Sequence, residues 1–389
     1  MSHDPGRHLT YLQQALESDK RPLALLLGAG CPLSVKIATA QGPEPLIPDL
    51  AGLMRLTDAS VLGTGDQVPY DLLKAHFSED GLPTPNIETL LSHIRSLRAV
   101  VGASSIRGLK AAELDSVENR ITSAVVLAAN KPLPSSDTPY HRLAAWVAGV
   151  PRHDPIEIFT TNYDLLTEQA LEETRTPSFD GFVGSREPFF DVAAMEDDVL
   201  PARWARLWKI HGSINWSLSG AGNVVRTGIG SGQHLIYPSH LKYEQSRRMP
   251  YLAMLDRLKT FLRRPSAVLV TDGYSFGDEH VNEAIVQGLQ GNPSAITFGL
   301  MYGTLADYPQ ASQLAERRVN LTVLARDSAI VATRADTYSV PSGRAISGLV
   351  VQPATEATPE QCEIRLGDFM VFAEFLRLLV GEKSLPAAL

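Results

Sequence analysis

From residue 155 onward, short apolar runs alternate with stretches of helical periodicity, and no other feature constrains the fold of this chain as much. The runs lie near 155–160, 207–211, 234–237, 266–271, 294–299 and 319–325. They are rich in Ile, Val, Leu and Phe and have the length of strands buried on both faces. Between them the spacing predicts helices near 163–174, 249–263, 278–290 and 309–317. Strands that alternate with helices build a mostly parallel sheet covered on both sides. The expected class is therefore α/β, a three-layer Rossmann-like arrangement.

The first 150 residues add one strand and a block of helices. Residues 8–19 carry an amphipathic helical pattern, and the apolar run from Pro22 to Leu27 stops at Gly28-Ala29-Gly30, which favours a buried strand. Residues 31–48 are proline-rich and read as loop, and Pro48-Asp49 opens a helical pattern. Residues 85–150 are mainly helical: Asn86 can cap a helix, with Thr89 where a full capping box has Glu or Gln, and Thr138-Pro139 starts another. That block is too long for a single crossover, so a helical insertion beside the sheet is expected. Residues 181–203 and 218–233 read as loops. Residues 334–365 suit a small antiparallel addition, and 368–381 form a last amphipathic helix. The expected organisation is one domain over 1–330, with its insertion at 85–150, and a C-terminal α+β addition over 331–389.

Composition excludes several classes. Hydrophobic residues make up 44% of 389, enough for a sizeable core. A net charge of −8 argues against binding nucleic acid through overall charge. The two cysteines, Cys31 and Cys362, form no Cys-x-x-Cys pair, so neither a Cys₄ zinc site nor a disulfide framework can be built. The N-terminus has no apolar signal core, and no apolar run approaches the ~20 residues of a membrane helix. A cytoplasmic, soluble chain is expected.

Polar residues crowd the carboxyl ends of four of these strands, where open α/β sheets place their sites. Gly28-Ala29-Gly30 would let backbone approach a phosphate, or simply end a strand; Leu33 stands at the third position of a dinucleotide glycine fingerprint. Thr160-Thr161-Asn162-Tyr163-Asp164 offers an amide for ligand hydroxyls and an acceptor, or a helix cap. His211-Gly212 offers a group able to take a proton from a hydroxyl or water, or a structural histidine. In the stretch from Thr271 to Asn282, Gly273 and Ser275 could meet a phosphate or ribose, and Asp278 can cap the next helix. His211 and His280 lack a carboxylate at metal-ligand spacing, so no metal is expected.

Taken together, Gly28-Ala29-Gly30-Cys31, Thr160 to Asp164, His211-Gly212 and Gly273-Tyr274-Ser275 resemble, in order and placement, the motifs of the sirtuin-like family. The resemblance spans roughly 20–330. In wording it is closer to the sirtuin-like NAD hydrolases of bacterial anti-phage defence: T-x-N-Y-D, K-x-H-G-S and G-Y-S-F-x-D-x-H-x-N all occur here. It implies Asn162 as the nicotinamide-ribose contact and His211 as general base. It implies NAD contacts at Gly28, Ala29, Gly30, Cys31, Thr161, Asp164, Gly273 and Ser275. The chain departs from deacylating sirtuins at Thr161, which replaces a glutamine, and at the glycine loop, where Cys31 and Ser34 flank the position of a serine. Ile47-Pro48-Asp49-Leu50 comes later than their G-I-P-D-F-R and lacks its Phe-Arg, and the zinc cysteines are missing.

The resemblance implies an NAD hydrolase that releases nicotinamide and ADP-ribose, with NAD as substrate and no zinc. Other readings are an NAD-dependent protein deacylase, a non-catalytic NAD or ADP-ribose sensor, and a dehydrogenase disfavoured by its incomplete glycine fingerprint. Relatives of this size imply a homo-oligomer switched by a HerA-type hexameric ATPase, with no direct nucleic-acid or membrane partner.

Overall fold

The computed structural model describes residues 2–40, 42–197, 199–228, 234–236, 250–340, 348–354 and 362–381. Its centre is a nine-stranded sheet in the order 334–337, 328–331, 321–324, 296–300, 268–272, 23–27, 156–160, 205–209, 178–179. The seven strands from Leu321–Leu324 to Ser178–Phe179 pair in parallel, and the Ser328–Val331 and Arg334–Thr337 strands close one edge as an antiparallel hairpin. The protein is thus α/β with a mostly parallel sheet, and all but one of the expected strands are in it.

The Leu23–Leu27 strand is the pivot. On one side of it lies Ile156–Thr160, on the other Val268–Asp272. The chain leaves this strand for Ile156–Thr160 on one side and later fills the other side outward from Val268–Asp272, so the crevice beyond the carboxyl ends of these two neighbours is a topological switch point.

Every residue of Leu23–Leu27 is buried, because both faces are covered. Leu23, Leu25 and Leu27 pack with the helices Pro5–Glu17, Pro139–Gly149 and Phe369–Gly381; Ala24 and Leu26 pack with Tyr251–Leu262, Glu279–Gly291 and Pro309–Ala315. On the second face a buried ion network stitches sheet to helix. Glu157 accepts from Trp208 Nε1 at 2.8 Å and from Arg257 Nε at 2.9 Å, and Arg206 lies 3.6 Å away.

The helices Leu50–Val61, Gln67–Glu79, Ile87–Val100 and Ala111–Ala129 form a third core of their own. Asn86 accepts from the Thr89 backbone at 2.9 Å while Thr89 Oγ1 accepts from the Asn86 backbone at 3.0 Å, so threonine completes the capping box. Ile214 belongs to this core, and Tyr163 and Leu165 pack against it. The helical module therefore rests on segments adjoining Asn162 and His211.

Three expectations are corrected. The His234–Ile236 strand is not part of the parallel sheet; it pairs antiparallel with Gly212–Leu218 in a second, five-stranded sheet with Val224–Arg226, Phe189–Phe190 and Phe182–Val183. Within the expected loop at 181–203 lie two of those strands and the Val192–Glu196 helix, and 218–233 contains another, with 229–233 outside the described residues. Two- and three-residue strands show no periodicity, which is why the sequence reads as loop there. The stretch expected as loop at 31–48 holds a hairpin, Lys36–Thr39 with Gly42–Pro45; proline is tolerated in an isolated two-stranded ribbon that has open edges. In the C-terminal part, Val351–Pro353 pairs antiparallel with Cys362–Ile364, and residues 341–347, 355–361 and 382–389 lie outside the described set.

Candidate functional site

Four strands deliver their carboxyl ends to the switch point, and hydrogen bonds tie the loops that follow into one rim. The Gly28 amide donates to the Asp272 carbonyl at 2.9 Å, and the Gly30 amide to the Gly273 carbonyl at 2.9 Å. Asn162, buried, donates from Nδ2 to the Gly28 carbonyl at 3.0 Å. The Thr161 amide donates to the Leu27 carbonyl at 3.1 Å, and the Ile210 amide to the Thr160 carbonyl at 2.9 Å. His211 Nε2 lies 2.7 Å from Asp278 Oδ2 and closes the rim.

The glycines are required by this crossing. A Cβ on Gly28 would stand 2.2 Å from the Gly273 carbonyl oxygen, and one on Gly30 2.7 Å from Gly273 Cα. Gly273 has φ +64°, where a side chain is also strained, and its own Cβ would meet Cys31 Sγ at 2.8 Å. Gly28, Gly30 and Cys31 all spend their amides inside the rim. Ala29, between them, is exposed.

Beneath the rim sits a buried polar layer. Asp164 Oδ1 accepts from the Leu166 amide at 3.0 Å and starts the Leu166–Glu173 helix. Burial pushes its carboxyl up to about 6, against the pull of the Lys209 ammonium. Lys209, itself buried, donates to the Asp164 carbonyl and pairs with Glu168 at 2.9 Å. Cys31 Sγ donates to the Asp272 carbonyl at 3.3 Å. Burial raises both the Cys31 thiol and the Asp272 carboxyl well above their usual ranges, with the Asp272 charge adding to the first and Asp368 to the second. Cys31 is therefore a thiol in the core and not a reactive group.

Nearer the surface, His211 is followed by Gly212 at φ +89°, which turns the chain from the parallel sheet into the second one. The His211 side chain is 13% exposed and that of Asp278 8%. Ser275 is exposed, whereas Tyr274 is buried and donates to Asn282 Oδ1 at 2.8 Å. Asn282 Nδ2 in turn donates to the Phe276 carbonyl at 2.7 Å, bracing the turn from Gly273 to Asp278.

Of the expected site residues, Gly28, Gly30, Cys31, Thr161, Asn162 and Gly273 are joined directly in the rim, and His211 enters through Asp278. Ala29 and Ser275 are its exposed members, and Asp164 lies underneath. Sequence reasoning gave Asp278 only a capping role. It does cap Glu279–Gly291, accepting from the His280 amide at 3.0 Å, but its second oxygen meets His211. Asp49 is an ordinary helix cap, accepting from the Gly52 amide at 2.7 Å. Among the described residues no three His, Cys, Asp or Glu side chains gather as a metal site.

Residues 156–322, the segment that carries three of the four motifs, match the model of the SIR2-like domain family. Among solved structures, the chain is similar to a Sir2 homologue in complex with NAD: 15% identity, 79% of this chain and 88% of that one, TM-score 0.31. It is similar to a Sir2 homologue with a serine-to-alanine substitution in complex with ADP-ribose, at 15% identity, 76% and 85% coverage and a TM-score of 0.30. A third, a structure of Sir2 enzymes bearing on their mechanism and regulation, has 12% identity, 77% and 86% coverage and a TM-score of 0.35. At such scores these likenesses add no weight to the fold described above. No curated protein matches the chain. No helix among the described residues is long and apolar enough to cross a membrane.

Proposed function

We propose that the chain hydrolyses NAD to nicotinamide and ADP-ribose, as an effector of the bacterial anti-phage type. The observation that carries this reading is the convergence, at one switch point, of a glycine loop, a buried asparagine amide and a histidine held by a carboxylate. Switch-point crevices hold nucleotides, and the solved relatives' printed ligands are NAD and ADP-ribose.

The chemistry asks little else of the protein. The nicotinamide of NAD is a cationic pyridinium, so the bond from ribose C1′ to the ring nitrogen breaks with its electron pair returning to nicotinamide. The neutral product leaves without a proton donor, unlike an ordinary glycoside leaving group. C1′ then resembles an oxocarbenium ion, a water oxygen bonds to it, and one proton must be removed, directly from water or through a ribose hydroxyl. His211 takes that proton and Asn162 holds the nicotinamide ribose. Thr161 belongs to the NAD contacts at the rim and Asp164 supports them from beneath it; Ala29, Ser275 and Gly273 face phosphate and ribose. With Gly28, Gly30 and Cys31 amides engaged in the rim, the exposed Ala29 is the member of that loop best placed to meet phosphate.

No zinc enters this scheme: Cys31 is in the rim and Cys362 in the small hairpin, both buried. Within the same reading, residues 1–330 act as the hydrolase domain. The helical insertion and residues 331–389 serve as assembly surfaces for a homo-oligomer and for a HerA-type ATPase that triggers turnover in the cytoplasm.

The test is nicotinamide release from NAD with and without an acetylated lysine peptide. Release independent of the peptide, with ADP-ribose in equal amount, is the expected result. Release that requires the peptide, with transfer of its acetyl group, would replace hydrolysis by deacylation.

A further inference from the structure

We propose that Asp278 is the positioning residue of the His211 base, fixing its proton on Nε2 so that Nδ1 is the atom that accepts the proton. This rests on the reading of His211 as the base of NAD cleavage.

The two side chains come from different strand ends, 67 residues apart, and meet at 2.7 Å. An ionised carboxylate only accepts, so the nitrogen it faces must carry hydrogen. A neutral imidazole has one N–H; with that on Nε2, the lone pair is on Nδ1, which makes no hydrogen bond to a described residue. The anion is secured by its surroundings. Asp278 Oδ1 accepts from the His280 and Val281 amides at 3.0 and 3.3 Å, at the positive end of the 13-residue Glu279–Gly291 helix. Its backbone is clamped too, since Tyr274 Oη donates to the Asp278 carbonyl at 3.1 Å. His211 is oriented from the other side by Gly212 and by the Ile210 bond to Thr160. After proton transfer both ring nitrogens bear hydrogen, and the imidazolium faces the Asp278 carboxylate until the proton passes to solvent. The pair is largely withdrawn from water, where such an interaction counts for more.

A plain tie between strand and helix would look similar, so the test must separate the two. Asp278→Asn keeps a good N-cap, yet offers its amide N–H toward Nε2 and so favours the proton on Nδ1. The comparable change in the serine-hydrolase triad costs about 10⁴ in turnover. Two readouts are taken on the full chain. The first is ¹⁵N NMR of labelled histidine, with His211→Gln to assign the resonance. The expected result is the Nε2–H tautomer in the wild type and the Nδ1–H tautomer in Asp278→Asn, at unchanged denaturation midpoint. The second is NAD turnover, with kcat falling at least ~100-fold and KM within about threefold. An Nδ1–H tautomer in the wild type, or Asp278→Asn turning over within threefold of it, overturns the proposal. Should the wild type bind no NAD, and release no nicotinamide even with the triggering ATPase present, the reading of the reaction fails, while the tautomers still decide what Asp278 does to His211.

Discussion

Replacing His211 by alanine is expected to slow nicotinamide release by about 10²–10⁴-fold, the range a positioned base contributes, while leaving the denaturation midpoint in place. The structural side of this expectation follows from where the residue sits. His211 follows the Ala205–Lys209 strand, is partly exposed, and among the described residues makes one side-chain hydrogen bond, to Asp278. Removing it leaves Asp278 Oδ1 bonded to the His280 and Val281 amides, so the cap of the Glu279–Gly291 helix is kept, and Oδ2 faces the space that the imidazole vacates at the partly exposed rim. Asn162 is a less clean probe of chemistry. Its amide holds the Gly28 carbonyl, so Asn162→Ala loosens the glycine loop as well as removing a ligand contact. Steady-state release of nicotinamide, read beside a urea titration, checks the His211 prediction. Near-wild-type release from His211→Ala would remove it from the role of base.

The largest stability loss is expected at Glu157, far from any ligand. Its carboxylate is 1% exposed, takes two bonds from Arg257 and one from Trp208, and lies beside Arg206. Removing one partner of such a buried network typically costs about 3–5 kcal/mol, because the remaining charges lose their compensation without regaining water. Glu157→Ala should therefore lower the free energy of unfolding by about that amount. A loss below about 1 kcal/mol in urea titration would mean that the network is solvated or compensated. The site should feel the change indirectly, since Glu157 lies three residues before Thr160, whose hydroxyl donates to the Leu27 carbonyl at 3.0 Å.

Most of the parallel sheet was legible because five of its seven strands are five-residue apolar runs whose two faces are both covered, and the helices between them keep their period; the two-residue Ser178–Phe179 strand had no such signal. Val268–Asp272 and Ile296–Leu300 fall within two residues of where the runs place them. The second sheet was not legible. Gly212–Leu218 does alternate, but the four strands that complete its sheet are only two or three residues long, too short for a local pattern to mark them. The same distinction holds at the site. That polar residues gather at strand ends follows from the sheet alone. That Gly28 and Gly30 exist to let one loop cross another at Gly273 requires coordinates. Asp278 shows the limit most clearly: the bonds to positions two and three ahead are readable as a cap, whereas the bond to a residue 67 positions earlier leaves no trace in spacing.

The central claim is that the switch-point crevice holds NAD, and binding tests it without depending on whatever triggers turnover. The measurement is calorimetric titration of NAD into His211→Ala, and into His211→Ala with Ser275→Trp. Ser275 is exposed on the rim, so a bulky side chain there should fill the crevice and leave the fold intact. Single-site binding in the first protein, weakened at least about tenfold in the second at equal denaturation midpoint, is the predicted result, since a tenfold loss is about 1.4 kcal/mol. Equal affinity in both proteins, or no NAD binding to the first, would contradict it.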